Sequence, residues 1–73
     1  MSEYSKAFGK RLREARKAAG MCQEELGDLV VYGHNTVRAW EEGKRLPHLD
    51  IACQLALHLG VTVGWLVAGE GER

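Results

Sequence analysis

Cys22, Cys53 and the three histidines His34, His48 and His58 are the side chains best suited to metal binding or nucleophilic attack in this sequence of 73 residues. A zinc site needs ligands at close, regular spacing, and catalysis needs a nucleophile or carboxylate pair beside a base. Neither cysteine has a paired Cys or His at ligand spacing, and no histidine shares an i, i+4 helical face with another or with a carboxylate. Two cysteines are too few for a disulfide scaffold, so both are expected as buried or half-buried free thiols. No glycine-rich phosphate loop is present, and no serine, cysteine or carboxylate pair has a plausible base. No metal, cofactor or enzymatic activity is expected. The remaining chemistry is charge and hydrogen bonding, carried by basic and amide side chains.

Those charges sum to zero, with Lys and Arg contributing 10 and Asp and Glu 10. Their distribution is uneven. Lys6, Lys10, Arg11, Arg13, Arg16 and Lys17 face only Glu3 and Glu14 in residues 1–20, and a second basic group follows at Arg38, Lys44 and Arg45. Acid gathers at Glu24, Glu25 and Asp28 and in the tail at Glu70 and Glu72. A molecule polarised in this way can bind phosphate on one face while another stays neutral or acidic.

Apolar residues make up 45% and charged residues 27%, the balance of a soluble globular protein. A chain this short supports one domain over 1–73, with a modest core and no room for a second. No apolar run spans a bilayer, and the basic start lacks the apolar stretch of a signal peptide. A cytoplasmic location without membrane association is expected, and the polar tail reads as a natural chain end.

The elements that must position the basic and amide groups follow from periodicity. From Tyr4 to Ala19, Phe8, Leu12, Ala15 and Ala19 recur at spacings of four, three and four, which is one face of an amphipathic helix stopped by Gly20. Gln23 to Val30 reads as a second helix, with Leu26, Leu29 and Val30 on one side and Glu24 and Glu25 at the positive end of its dipole. A third helix begins near His34 and ends at Gly43, with Val37, Trp40 and Glu41 on its inner side. Lys44 to Pro47 forms a basic loop. Leu49, Ala52, Cys53, Leu55, Ala56 and Leu59 then mark a fourth helix ending at Gly60, and Thr62 caps a short fifth through Val63, Trp65 and Leu66. Residues 1–4 and 69–73 are expected to fray. Val30, Val31 and Tyr32 are β-prone, but they are too few for a sheet and lack a partner segment.

Three segments together resemble a known family: Gly20-Met21-Cys22-Gln23-Glu24-Glu25-Leu26, Thr36 through Pro47, and Leu59 through Leu66. They look like the XRE family of lambda-type repressors and Cro proteins, with the family's spacing kept from about Phe8 to Gly69. The resemblance implies an all-α, compact five-helix domain whose second and third helices form a helix-turn-helix. It implies double-stranded DNA as partner and a regulator acting as a repressor on an inverted repeat. The helix pair needs close contact, and Gly27 stands at the midpoint of the first helix where a small residue is required.

By the same resemblance His34, Asn35, Arg38 and Ala39 face base edges. Asn35 has the amide geometry for adenine N6 and N7, Arg38 can fork onto guanine O6 and N7, and Ala39 offers a methyl to thymine. His34 could reach a base or a phosphate. Gln23, Thr36, Lys44 and Arg45 occupy backbone-contacting positions, which orient the protein without reading sequence. Glu41 lies on an inner face, where an unpaired carboxylate would be costly, and the resemblance gives it Arg16 as partner in a structural ion pair. Leu57, Val63 and Val67 form the expected face of a weak homodimer, which would place two reading helices about 34 Å apart.

Three positions depart from the family pattern. Val31 stands where the turn usually has glycine, and a β-branched residue suits positive φ poorly, so either the turn is reshaped through Gly33 or Val31 is strained. Cys22 replaces the usual Ser or Thr cap and is a weak acceptor. Glu42 stands where a neutral phosphate-binding side chain is common, and its charge should weaken affinity. Two other functions fit the same fold: an antitoxin, which would need a protein partner, and a protein-interaction module that has lost DNA binding. The short chain has little extra sequence to wrap a toxin, whereas neutral net charge and Glu42 favour the second.

Overall fold

Ser2 caps the first helix, its Oγ accepting the Ser5 N–H at 3.0 Å, so α1 spans Glu3–Ala18 and starts one residue before Tyr4. The structure, a computed structural model, describes residues 2–73; Met1, the first of the residues expected to fray, lies outside them. Phe8, Leu12 and Ala15 turn inward and are buried, as their spacing requires. The helix stops because Gly20 takes φ +73, which lets the Gly20 and Met21 N–H groups donate to Lys17 and Arg16 carbonyls.

Four further helices follow: α2 Gln23–Leu29, α3 His34–Glu41, α4 Leu49–Leu59 and α5 Val63–Ala68. There is no strand among the described residues. Leu26 and Val30 from the α2 segment, Val37 and Trp40 from α3, Leu55, Ala56 and Leu59 from α4, and Leu66 from α5 join Phe8 and Leu12 in one core. Tyr32 closes its edge on Trp40, ring to ring at 5.4 Å and 65°. The chain belongs to the all-α class, with five helices among the described residues packed around that core.

Cys22 caps α2 more completely than its weak acceptor strength suggests. Its Sγ accepts the Glu25 N–H at 3.5 Å while the Glu25 carboxylate accepts the Cys22 N–H at 3.0 Å, a reciprocal capping box. The backbone N–H of Cys22, and after it the Cys22 side chain, hold the Glu25 carboxyl below its ordinary range. Both cysteines are free but exposed, which corrects the expectation of buried or half-buried thiols. Cys22 stands outside the helix as its cap, and Cys53 is displaced outward because Ala52, Leu55 and Ala56 take the inner face of α4. Leu29 and Leu49 are likewise on the surface, at 44% and 68% exposed. Leu29 is the last residue of α2 and Leu49 the first of α4, so each stands at a helix end.

The turn between α2 and α3 keeps a left-handed residue at Val31, with φ +62, while Gly33 is extended at φ −75 and serves as the α3 cap. The turn is therefore not reshaped through Gly33. Left-handed backbone costs an L-residue about 1–2 kcal/mol, and Val31, 89% exposed, recovers little by burial. Val31→Gly is expected to gain about 0.5–1 kcal/mol after the glycine's own unfolded-state entropy is deducted. A thermal melt raised by several degrees would show it; an unchanged or lowered midpoint would mean the strain is relieved elsewhere.

Arg11, unremarkable in the sequence, ties the two ends of the fold together. Its Nε and Nη2 donate to the Leu66 and Val67 carbonyls at 3.0 and 3.1 Å, covering the negative end of α5. Thr62 caps α5 by accepting the Trp65 N–H at 3.1 Å and also donates to the Glu72 carbonyl at 3.0 Å. Arg73 lies over the Trp65 ring at 5.7 Å.

Candidate nucleic-acid interface

The inner face of α3 is consumed by the core, because Val37 and Trp40 are at most 3% exposed. His34, Asn35 and Arg38 consequently project to solvent, and Ala39 is half-buried beside them. The start of α3 carries no side-chain cap, since Gly33 has no side chain to offer. Its first-turn N–H groups therefore add positive potential at the same end as His34 and Asn35.

Three side chains from three segments hold α3 in place. Arg16 of α1 donates through Nε and Nη2 to the two Glu41 oxygens at 2.6 and 3.1 Å, and its Nη1 donates to the Met21 carbonyl at 2.8 Å. Gln23 of α2 donates its amide to Glu41 Oε1 at 3.1 Å. The side chains of Arg16 and Glu41 are 10% and 3% exposed, and the hydrogen bond from Arg16 to Glu41 is the main cause that raises the guanidinium above its ordinary range. Gln23 is half-buried, with its amide nitrogen directed inward on this network.

Two glycines set how closely these helices approach. A Cβ on Gly27 would collide with the Tyr32 carbonyl oxygen just after α2. A Cβ on Gly9 would lie 2.5 Å from both the Trp40 and Glu41 carbonyl oxygens at the end of α3. Gly9 was not legible as a functional position; its only sequence signal is a glycine inside an otherwise strong helical pattern.

The remaining basic residues divide. Lys44 Nζ lies 3.2 Å from Glu42 Oε1, and Arg38 Nε donates to Glu42 Oε2 at 3.1 Å. These cations, Arg38 first and then Lys44, hold the Glu42 carboxyl below its ordinary range. Thr36 and Arg45 instead line a cleft of about 80 Å³ with Tyr32, Trp40 and His48. Val67 lines a separate apolar cleft of about 150 Å³ with Tyr4, Leu46, Pro47 and Leu49. Leu57 and Val63 lie outside that cleft, exposed on α4 and α5. No group of three His, Cys, Asp or Glu residues among the described residues is arranged to hold a metal. No helix of the described residues is long and apolar enough to cross a membrane.

The paired α2 and α3, their tight turn and the outward polar face of α3 define a helix-turn-helix protein. The chain belongs to that family: the helix-turn-helix family model matches residues 12–66. It is 31% identical over 64 residues to the HTH-type transcriptional regulator ImmR of Bacillus subtilis, covering 88% of this chain and 50% of that protein. The chain spans about half the length of this and a second curated relative. Among solved structures, the restriction-modification controller protein C.AhdI from Aeromonas hydrophila superposes with TM-score 0.77 at 36% identity, covering 84% of this chain and 88% of that one. The P22 c2 repressor, solved with a synthetic operator, gives TM-score 0.81 at 25% identity over 86% of this chain and 96% of its own. The same arrangement occurs inside hydroxypropylphosphonic acid epoxidase from S. wedmorenis, with TM-score 0.82 and 27% identity, covering 97% of this chain but 38% of that one.

Proposed function

We propose that this chain is a cytoplasmic, non-catalytic, DNA-binding transcriptional regulator that represses by occupying a short inverted repeat. The observation that carries the reading is α3 itself, buried on one side, braced by Arg16, Glu41 and Gln23, and presenting His34, Asn35 and Arg38 outward. A helix so held can enter a major groove about 12 Å wide without losing its angle. The names and structures of its relatives support the same function: ImmR is a transcriptional regulator and the P22 c2 repressor was solved on an operator.

In this reading Asn35 and Arg38 read bases, with His34 and Ala39 beside them. Thr36, Lys44 and Arg45 contact phosphates. Gln23 acts first as the brace seen in its bond to Glu41, leaving phosphate contact at that end to the N-terminal N–H groups of α2. Leu57, Val63 and Val67 contribute to a weak two-fold dimer, to which exposed Tyr4, Leu46 and Leu49 add apolar surface.

Selection from a random-sequence DNA library at low salt tests the function directly. An enriched site with two-fold symmetry, bound with affinity that falls steeply as salt rises, is the expected result. Enrichment of no sequence would overturn it and favour a protein-interaction role. Arg38→Ala is expected to cost about 1–3 kcal/mol on the selected site and to relax one base position, as read by competition between single-base variants. Equal preference before and after the substitution would remove Arg38 from the reading set.

A further inference from the structure

Glu42 collects the two cations that flank the end of α3, and the backbone is built to bring them there. Gly43 takes φ +77, and the chain folds back so that the Lys44 N–H donates to the Ala39 carbonyl at 2.9 Å. That reversal sets Lys44 Nζ 3.2 Å from one Glu42 oxygen while Arg38, one helical turn earlier, donates to the other at 3.1 Å. Arg38 uses its Nε for this contact. The outer guanidinium edge, Nη1 and Nη2, is the pair of parallel donors that matches guanine O6 and N7.

The group as a whole carries one net positive charge, two cations against one carboxylate. In water such exposed pairs contribute little, and the side chains of Arg38 and Glu42 are 63% and 40% exposed. Docking in a groove removes water from the same atoms and strengthens their attraction. A long arginine left unsupported can point its fork at several neighbouring acceptors, including phosphates, whereas one held at Nε presents its fork in a narrow range of directions. A carboxylate at that position also repels the phosphates and acceptor edges that an unsupported arginine would accept.

We propose that Glu42 is a specificity-determining positioning residue: it holds Arg38 by Nε, with Lys44 offsetting its charge, so that the outer guanidinium edge meets a guanine. The inference rests on α3 being the reading helix. It gives Glu42 a second effect beside the weakening of affinity expected from its charge. Overall affinity is lowered, and discrimination is raised.

The test compares wild type, Glu42→Ala, Glu42→Gln and Arg38→Ala on three DNAs over a range of salt: the selected site, the same site with the Arg38-dependent base pair changed, and unrelated DNA. Glu42→Ala is expected to bind unrelated DNA several-fold more tightly, with a log–log salt slope steeper by about 0.9. Its preference for the selected site over the changed site should fall about tenfold, within the range that one bidentate base contact supplies. Glu42→Gln keeps an oxygen that can accept from Nε, so it should show the same change in salt slope while retaining most of the preference. Thermal melts of both variants should match wild type, because Glu42 is exposed. If Glu42→Ala gains affinity equally on all three DNAs, Glu42 is only a repulsive charge and the proposal is overturned, with the regulator reading intact. If wild type prefers a site but Arg38→Ala keeps the full preference, the proposal fails because Arg38 reads nothing. If wild type prefers no sequence, the failure lies in the function itself.

Discussion

Glu41→Ala is expected to destabilise the protein by about 3 kcal/mol, because removing one partner of a buried pair leaves the other charge uncompensated. Arg16 is 8% exposed as a residue and would keep only the Met21 carbonyl as a charge-independent acceptor. That remaining bond places the estimate at the lower end of about 3–5 kcal/mol for breaking such pairs. A domain of this size has little stability to spare, since native proteins hold only about 5–15 kcal/mol in total. The melting midpoint should fall by roughly 12–24 °C, from about 4–8 °C per kcal/mol in a small domain. Exchanging both partners for Met should restore most of the loss, because the pair's attraction and its desolvation cost nearly cancel. A loss under about 1 kcal/mol in Glu41→Ala would show that water or Gln23 compensates Arg16, and that α3 is held by packing alone.

The second large effect is expected at Gly9, where two opposing terms must be compared. Alanine in a helix interior is favoured over glycine by about 1 kcal/mol. Against this, the new Cβ would stand 2.5 Å from two carbonyl oxygens of α3, and both are backbone atoms that cannot rotate aside. Overpacking of this kind costs about 1–3 kcal/mol and occasionally more, and two simultaneous backbone contacts place Gly9→Ala at the upper end. The net expectation is a loss of about 2 kcal/mol, measured by urea unfolding. Relief of the contact requires α1 and α3 to separate, so DNA affinity should fall further than the unfolded fraction accounts for. A stabilised Gly9→Ala would mean that the helices part freely and that their close approach does not set the angle of α3.

These two sites differ in how they could be read. Glu41 stands on the inner side of a helical pattern, and a carboxylate there already calls for a cation; the family resemblance pointed to Arg16. Gly9 has no such sign, because glycine in a helix announces only that something else comes near. What comes near is 31 to 32 residues away in the chain, and only packing brings it there.

Periodicity and stop signals were sufficient for the number, order and approximate limits of the helices, because each records the same local preference that folds the chain. Apolar residues at spacings of three and four choose the inner faces, while Gly20, Gly43 and Gly60 end helices by adopting positive φ. Those rules also identify α3 as a helix with a polar outer side beginning at His34. They overestimated burial at helix ends and face edges: Leu29 and Leu49 fit the pattern but stand at the ends of α2 and α4, and Cys53 lies beside the face that Ala52, Leu55 and Ala56 occupy.

Tertiary structure decided the relations between distant side chains. Gln23 lies on Glu41, Arg16 on the same carboxylate, and Arg11 on the end of α5. None of these follows from the type of one residue, since a hydrogen bond needs direction and distance as well as a donor and an acceptor. The residues able to do chemistry, Asn35 and Arg38 above all, were visible from amino-acid type and family spacing. How Arg38 is held is local as well, since Glu42 lies one helical turn on at i, i+4; the placing of Lys44 on the other Glu42 oxygen depends on the reversal at Gly43. Local sequence determines which helix carries the polar face and sets Glu42 one turn from Arg38; the packed fold determines how that helix is braced.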